Sequence, residues 1–380
     1  MESIVKEAIT RSEKEGKEAQ LQVKAPTPGA DSDEELRRIV EGIKTSIKIV
    51  GAGGAGSNTV DRLMEMGIEG GDVIAINTDA LHLLHCKAPT KVLIGTSLTG
   101  GVGAGNDPEL GEQCAEVDLE KISAVLTGAD LVFLTCGLGG GTGTGSIPVI
   151  AEVAKDLQAL TIGIVTLPFS VEGRVRAANA LRGLKKLRKF ADTVIVIPND
   201  RLLDIAPNLP LNQAFKVADE LLANAAKGIT EMVTKPGLVN LDFADVRAIL
   251  KDGGTAMIGL GQSTKESGME NRARESIEKA LSSPLLDTNI SNATGALINI
   301  TGSRDMTLEE AQEIVRIVSE NIDPNAEIIW GAQFDDNLDR NVIKTLIVLS
   351  GVSIPGYEED LEEMVEQGRH ERYDLGLKSL

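Results

Sequence analysis

Aromatic residues are nearly missing: 2% of the 380 positions, with one Trp, two Tyr and six Phe. Single strands of nucleic acid are usually held by stacking bases on aromatic rings, so that class of binder is disfavoured. Positive charge is short as well. Against 57 Asp and Glu stand 38 Lys and Arg, a formal net charge of −19. That balance works against non-specific attraction to nucleic-acid backbones and to anionic membrane surfaces. It admits a nucleotide if a cation accompanies it. Cysteine is scarce: Cys86, Cys114 and Cys136 are odd in number, widely spaced and form no CxxC pair. Neither a disulfide framework nor a zinc centre is indicated, and a reduced, cytoplasmic setting is expected. No signal-peptide pattern is read in MESIVKEAITRSEKEGKEAQ, which is charged throughout.

What the chain has is glycine, 40 of them. They gather in three places. The richest is LVFLTCGLGGGTGTGSIPVIA, residues 131–151. Leu131 to Thr135 reads as a buried strand, and VIAEVAKDL has helical spacing. Ser146, Ile147 and Pro148 predict the helix start, since proline is tolerated in a first turn. Strand, glycine loop and helix N-terminus together suit phosphate: amides point inward and the helix end adds about half a positive charge. A linker, a membrane span and a purely structural glycine turn are the alternatives. The loop is not a Walker A motif, because no Lys precedes Ser or Thr within Gly143, Thr144, Gly145 and Ser146. Amides and a metal ion must then neutralise most of the phosphate charge.

SIKIVGAGGAGSN, residues 46–58, is the second site. A β-branched strand meets Gly51, Gly53 and Gly56, and TVDRLMEMG follows as a helix. That is GxGxxG in its proper context. DVIAINTDA is the next strand, ending in Asn77, Thr78 and Asp79. An acidic residue about 20 positions after the glycines also suits a dinucleotide. An NAD-linked oxidoreductase is therefore a rival, though it leaves the loop at 131–151 unexplained. His82 and His85 share a face in ALHLLHC; a packed helix is the expected reading and a metal pair the alternative. TGGVGAGNDP, residues 99–108, is the third loop, leading into a helix PELGEQCAEV.

Alternating strands and helices imply a parallel sheet with helices on both faces. Ligands then sit beyond the carboxyl ends of the strands, where one crevice can collect all three loops. Glu172 and Arg176 in SVEGRVRAANAL follow the strand ending near Phe169. They pair with each other at i, i+4 or contact a ligand. RGLKKLRKF reads as a solvated basic face. TVIVIPNDRLLDI brings Asn199 and Asp200 to the same edge. A long helix is predicted from Leu211 to Thr234. On it Phe215 and Asp219 are one turn apart, a ring to stack on a base beside a carboxylate to accept from it. Guanine offers such donors and adenine does not. Phe215 as a core aromatic is the alternative. In KPGLVNLDFADVRAIL, Asn240, Asp242 and Asp245 stand at a helix start, where ordinary capping explains an Asp.

GAGGAGSN, AINTDA, GGGTGTGS, PFSVEGRVR, VIPND, AFKVADELL and NLDFADV occur in one order, and in that order they resemble the tubulin/FtsZ superfamily over about residues 45–352. The likeness is to FtsZ-type cell-division GTPases, with an archaeal-type member expected. The resemblance implies a Rossmann-like parallel-sheet GTPase domain, a long central helix and a smaller α/β C-terminal domain. Expected boundaries are an N-terminal arm with a lead-in helix (1–44), a GTP-binding domain (45–210), the central helix (211–235), the C-terminal domain (236–352) and an acidic tail (353–380). It also implies GTP and GDP as ligands with Mg²⁺. The positions so implicated are Gly53, Gly54, Ala55, Gly56, Ser57 and Asn58; Asn77 and Asp79; and Gly103, Ala104, Gly105 and Asn106, which would cover the terminal phosphate. Gly140, Gly141, Thr142, Gly143, Thr144 and Gly145 would hold phosphates. Glu172 and Arg176 would meet ribose and phosphate, and Asn199, Phe215 and Asp219 guanine. Asn240, Asp242 and Asp245 fall in the family's synergy loop, which enters the next subunit's site. Head-to-tail self-assembly at a mid-cell division site follows, with membrane-tethering partners on the tail. Within that tail, residues 373–377 read as a docking peptide for a partner, with a frayed terminus as the alternative. A non-hydrolysing nucleotide-dependent scaffold is the remaining alternative. The tail does not match the bacterial family's usual terminal peptide.

Overall fold

The computed structural model describes residues 45–352, apart from 206–209, 236, 240, 265, 267, 287–289 and 337. The expected arm, lead-in helix and acidic tail, and Asn240, lie outside the described residues. The first part of the chain runs β1 (Ile47–Ala52), α1 (Gly53–Glu65), β2 (Gly71–Asn77), α2 (Ala80–His85), β3 (Thr90–Leu93), α3 (Thr96–Thr99), α4 (Pro108–Glu116) and α5 (Leu119–Leu126). It continues through β4 (Leu131–Gly137), α6 (Thr142–Asp156), β5 (Leu160–Leu167), a 3₁₀ turn (Ser170–Glu172), α7 (Arg174–Leu187), β6 (Thr193–Pro198) and α8 (Asp200–Ile205). Then come α9 (Leu211–Thr234), α10 (Phe243–Leu250), β7 (Gly254–Gln262), α11 (Gly268–Leu281), β8 (Gly295–Gly302), α12 (Leu308–Asn321), β9 (Glu327–Phe334) and β10 (Ile343–Ser350).

All ten strands join one sheet in the order β3-β2-β1-β4-β5-β6-β7-β10-β8-β9. The first six are parallel and doubly wound, reversing direction of travel between β1 and β4. Alternate side chains explain why both faces are covered. Ile47, Ile49, Leu131 and Phe133 face a core shared with Ala218, Leu222 and Ile229 of α9. Val50, Ala52, Val132 and Leu134 face Ile147, Ile150 and Ala154 of α6. The two halves meet through a short register, Thr193↔Gly254 to Ile195↔Ala256. Beyond it β10 runs antiparallel to both β7 and β8, while β9 runs parallel to β8.

Three local expectations change. Helix α6 starts at Thr142, so Pro148 lies inside it rather than in its first turn. The proline forfeits one helix bond, to the Thr144 carbonyl. Glycines 143 and 145 disguise this turn as loop, but they serve close packing: a Cβ on Gly145 would come within 2.5 Å of the Glu112 amide on α4. Second, α2 is not packed all round. Leu83 is buried, whereas Leu81 and Leu84 are 67% and 71% exposed. Third, the loop at 100–107 follows the short helix α3, not a strand directly. The short strand β3, with Thr90 and Lys91 exposed, is too brief to show a period in sequence.

In the second half the buried Arg272 organises one end of α11. Its Nε and Nη2 donate to both oxygens of Glu310, at 2.5 and 3.0 Å, and its Nη1 donates to Asp305 at 3.3 Å. Glu310 also accepts from the Thr307 amide in the capping box that starts α12. Removing a partner from such a pair leaves charge uncompensated. Arg272→Leu is expected to lower unfolding free energy by roughly 3–5 kcal/mol. Denaturant unfolding of the two proteins checks it, and an unmoved midpoint would contradict it.

Candidate nucleotide site

Three backbones converge at the first turn of α6. Gly53 opens α1 with φ of 71°, and a Cβ there would come within 2.6 Å of the Gly143 amide. The Gly141 amide donates to the Gly105 carbonyl at 2.9 Å. A Cβ on Gly141 would meet the carbonyls of Ala104 and Gly105, both at 2.8 Å. The Thr78 and Thr142 hydroxyls bond at 2.6 Å, tying the end of β2 to the same turn. This sits at the carboxyl ends of β1 and β4, the switch point where doubly wound sheets take ligands. Two helix N-termini, α1 and α6, aim their free amides there and favour an anion.

A cleft of about 260 Å³ opens over this turn. Gly54, Ala55, Gly105, Gly140, Gly141, Thr142 and Gly143 from the glycine loops line it, and so do Glu172, Arg176, Asn199, Phe215 and Asp219. The two glycine sites and the start of the long helix thus share one cavity. Gly140 has nothing within 4 Å of where a Cβ would stand. Glu172 and Arg176 both pair with each other and line the cleft, so the two readings of them combine. Glu172 lies on the 3₁₀ turn rather than on α7, and it accepts from the Phe169 amide at 2.9 Å.

The far end fits a purine base. Phe215 is not a core residue: it is 38% exposed and meets buried Phe169 edge to face, centroids 5.3 Å apart. Asn199 is buried, and its side-chain oxygen has no hydrogen-bond partner among the described residues. A buried polar atom in that condition costs free energy that a ligand donor can recover. Burial pushes the Asp219 carboxyl up to about 7, against a smaller lowering by the Thr59 hydroxyl. A polar orphan, a ring face and a carboxylate inclined to hold a proton meet at one place.

Other implicated residues stand behind the cleft. Gly56 packs against β4, where a Cβ would come within 2.5 Å of the Thr135 carbonyl. Ser57 is buried and donates to the Gly53 carbonyl at 2.8 Å. Asn58 meets His82 at 3.2 Å. Asn77 accepts from the amides of Thr78 and Asp79, at 2.9 and 3.2 Å. Asp79 caps α2 by accepting from the His82 amide. Gly103, Ala104 and Asn106 belong to the third loop, and Asn106 borders a separate cavity on its outer side. Thr144 and Gly145 border that outer cavity too, and the Thr144 hydroxyl accepts from the Gly139 amide at 2.8 Å. Thr166 and Pro168 line the cleft without having been singled out. Their signal was the end of strand LTIGIVTLPF, since residues at such ends face the crevice.

Asp242 and Asp245 lie elsewhere. They form a reciprocal capping box on α10: Asp242 accepts from the Asp245 amide at 2.9 Å, and Asp245 from the Asp242 amide at 3.0 Å. Neither lines the cleft. Phe215 and Asp219 stand near the start of α9, whereas this segment follows its end. Fifteen residues of helix from Asp219 to Thr234 span about 22 Å at 1.5 Å each. The preceding strand-like residue, Val239, pairs with Ala332 of β9 and so anchors the segment to the second half. Among the described residues, no group of three or more His, Cys, Asp or Glu is placed to hold a metal ion.

Fold and cleft together define a nucleotide-binding protein with a doubly wound sheet and a lysine-free phosphate loop. The comparisons carry that class to a family. Residues 46–207 match the model of the Tubulin/FtsZ family, GTPase domain, and residues 254–353 that of the FtsZ family, C-terminal domain. The chain belongs to the tubulin/FtsZ family and is a GTPase of the FtsZ type. It is 58% identical to a cell division protein FtsZ of Methanothermobacter thermautotrophicus, over 92% of this chain and 90% of that protein. It is 56% identical to cell division protein FtsZ 1 of Pyrococcus furiosus, over 93% and 92%. An FtsZ dimer from M. jannaschii superposes with a TM-score of 0.80 at 53% identity, covering 85% of this chain and 92% of that one. The strand order alone would have left a dinucleotide oxidoreductase standing; the family removes its support, and that of a non-hydrolysing scaffold.

The raised Asp219 pKa has a signed consequence. In the nucleotide-free fold the carboxyl holds its proton more tightly than in the unfolded chain. Its contribution to stability is therefore full below about pH 4, the unfolded carboxylate value. It is lost as pH rises through about 7. Guanine donors need the carboxylate, so GTP affinity should climb as pH passes about 7 and then level off. Titrating affinity against pH in the parent and in Asp219→Asn checks this: the substitution should flatten the climb. A climb of equal size in both proteins would place its cause elsewhere.

Proposed function

We propose that this protein binds GTP in the cleft and hydrolyses it only after a second molecule completes the site. The observation that carries the proposal is a division of labour. The cleft supplies amides, hydroxyls, a Glu172 already paired with Arg176 and a base-reading end, whereas Asp242 and Asp245 stand beyond the far end of α9. Amides and hydroxyls hold phosphate well and activate water poorly; hydrolysis needs a group that orients or polarises the attacking water. Head-to-tail stacking would set Asp242 and Asp245 of one molecule against the terminal phosphate in the next, with Asn240 beside them. The M. jannaschii relative, an FtsZ dimer, supports self-association.

On this reading residues 45–210 bind nucleotide, 211–235 connect, and 236–352 carry the activating segment. Mg²⁺ would be held mainly by phosphate oxygens and water, as it usually is in nucleotide sites. When bound it would neutralise phosphate charge that no Lys of the loop meets. The polymer would act in the cytoplasm at the mid-cell division site, joined to membrane-tethering division proteins through residues 353–380. No nucleic acid and no direct membrane insertion enter the scheme.

Phosphate binding is tested at Gly140. Because a Cβ there meets no protein atom within 4 Å, Gly140→Val should fold normally yet fill the phosphate end. Loss of GTP binding with an unchanged thermal midpoint of the nucleotide-free protein is expected. Retained GTP affinity would make the loop structural only.

The shared site is tested by mixing. Asp245→Asn keeps an acceptor for the capping box but removes the charge. It should bind GTP normally and hydrolyse it slowly, by as much as ~10³-fold if the group acts like other trans-supplied ones. Added to Gly140→Val, which cannot bind but offers an intact Asp245, it should regain activity. Parent activity per molecule should also collapse on dilution below the assembly threshold. Constant specific activity on dilution would rule out the shared site.

A further inference from the structure

Asn179 sits on α7 behind the cleft, nearly fully buried, and belongs to none of the groups discussed so far. Its side-chain Nδ2 faces two main-chain carbonyls. One is Asn106, at 3.3 Å, in the third glycine loop; the other is Gly139, at 3.4 Å, in the phosphate loop. Its Oδ1 accepts from Arg182 Nη2 at 2.6 Å. The guanidinium can only donate, so it decides which way the amide points. With the oxygen claimed, both hydrogens of the amide are left for the two carbonyls.

The two loops have one other tie here, the Gly141 amide on the Gly105 carbonyl at 2.9 Å, on the cleft side. On the outer side lies a cavity of about 480 Å³ bordered by Asn106, Thr144, Asn179 and Arg182. Close backbone packing of Gly141 holds the loop on the cleft side, and the Asn179 amide adds a polar contact on the side of this cavity. Gly139 has φ of 114°, a conformation that few other residues adopt, and its amide donates to the Thr144 hydroxyl at 2.8 Å.

We propose that Asn179 is a positioning residue that holds the third glycine loop in register with the phosphate loop, with Arg182 setting its amide. It touches no nucleotide atom itself. The proposal rests on the nucleotide-site reading, in which the third loop meets the terminal phosphate. It predicts that Asn179 governs discrimination between nucleotides with and without that phosphate, and leaves base recognition alone.

The test is nucleotide binding by the full chain, diluted below assembly, with GTP, GDP and ATP as probes. Asn179→Asp keeps the contact to Arg182 but turns an oxygen toward two carbonyl oxygens. The ratio of GTP to GDP affinity is expected to fall about 5–30-fold, the loss of one or two hydrogen bonds. Arg182→Gln, at an exposed position, should shift the ratio in the same direction by less. Preference for GTP over ATP should stay at the parent value in both. A merely structural role would weaken GTP and GDP alike and leave the ratio unmoved, which overturns the proposal. If Asn179→Asp does not fold, the Arg182→Gln ratio decides in the same way. A parent protein without guanine-nucleotide affinity would instead fail the underlying site reading.

Discussion

The rest of the molecule depends on backbone meeting backbone around the first turn of α6. Side chains are excluded there on several sides at once. Gly53 approaches Gly143, Gly141 approaches the third loop, and Gly145 approaches α4. Gly111 and Gly183 repeat the exclusion from the α4 and α7 sides, against Gly141 and Thr144. Any Cβ at these points pushes one of the four surrounding elements outward. Glycine in a helix interior costs up to about 1 kcal/mol relative to alanine, so the penalty is accepted for proximity. What proximity provides is a bowl of amides small enough to surround a phosphate group.

That solution explains the missing lysine. A Walker-type loop places one cationic side chain on the phosphates. On the proposed reading, helix dipoles and amides would meet the phosphates from fixed positions here, and the remaining charge would be left to a cation. The opposite end of the cleft is equally incomplete without ligand. Asn199 carries an unpartnered buried oxygen, and Asp219 is disposed to take up a proton. Both are unfavourable in the empty protein and both are relieved by a base that donates hydrogen bonds. On the proposed reading, selectivity for guanine would come from relief of a cost already present, which discriminates more sharply than an added contact.

The sheet was legible because its strands are continuous apolar runs between glycine loops. Crossover rules narrow the strand order to a handful of topologies and do not choose among them. The long helix Leu211–Thr234 was legible from end to end, since nothing in it competes with helical spacing. The start of α6 was not, because glycines chosen for packing look like glycines chosen for turning. The same ambiguity affected the site. Ser57, Asn77, Asp79 and Thr144 have the residue types of ligand contacts but engage their polar atoms with a helix cap, a neighbouring carbonyl or neighbouring amides. Sequence spacing brings such residues to the right strand end; only three-dimensional direction separates the face toward the cleft from the face behind it. Asn179 was invisible for the converse reason. It sits in an ordinary amphipathic helix, and its partners are carbonyls of loops 40 and 73 residues away.

The acidic segment on α10 shows why a bland reading and a functional one need not compete. Its two carboxylates do cap the helix, each using one oxygen on the other's amide. Capping holds both side chains in single conformations at the tip of a rigid element, and that stiffness is what a water-positioning group requires. The price is electrostatic. In a chain of net charge −19, head-to-tail contact would press carboxylates toward a triphosphate. Like charges at close range repel strongly where water is excluded. A divalent cation on the phosphates would relieve much of that repulsion, so ion binding and assembly are coupled on the shared-site reading. On the same reading, loss of the terminal phosphate would alter the charge that the capped pair confronts. The contact that completes the site would thereby be sensitive to the reaction it promotes.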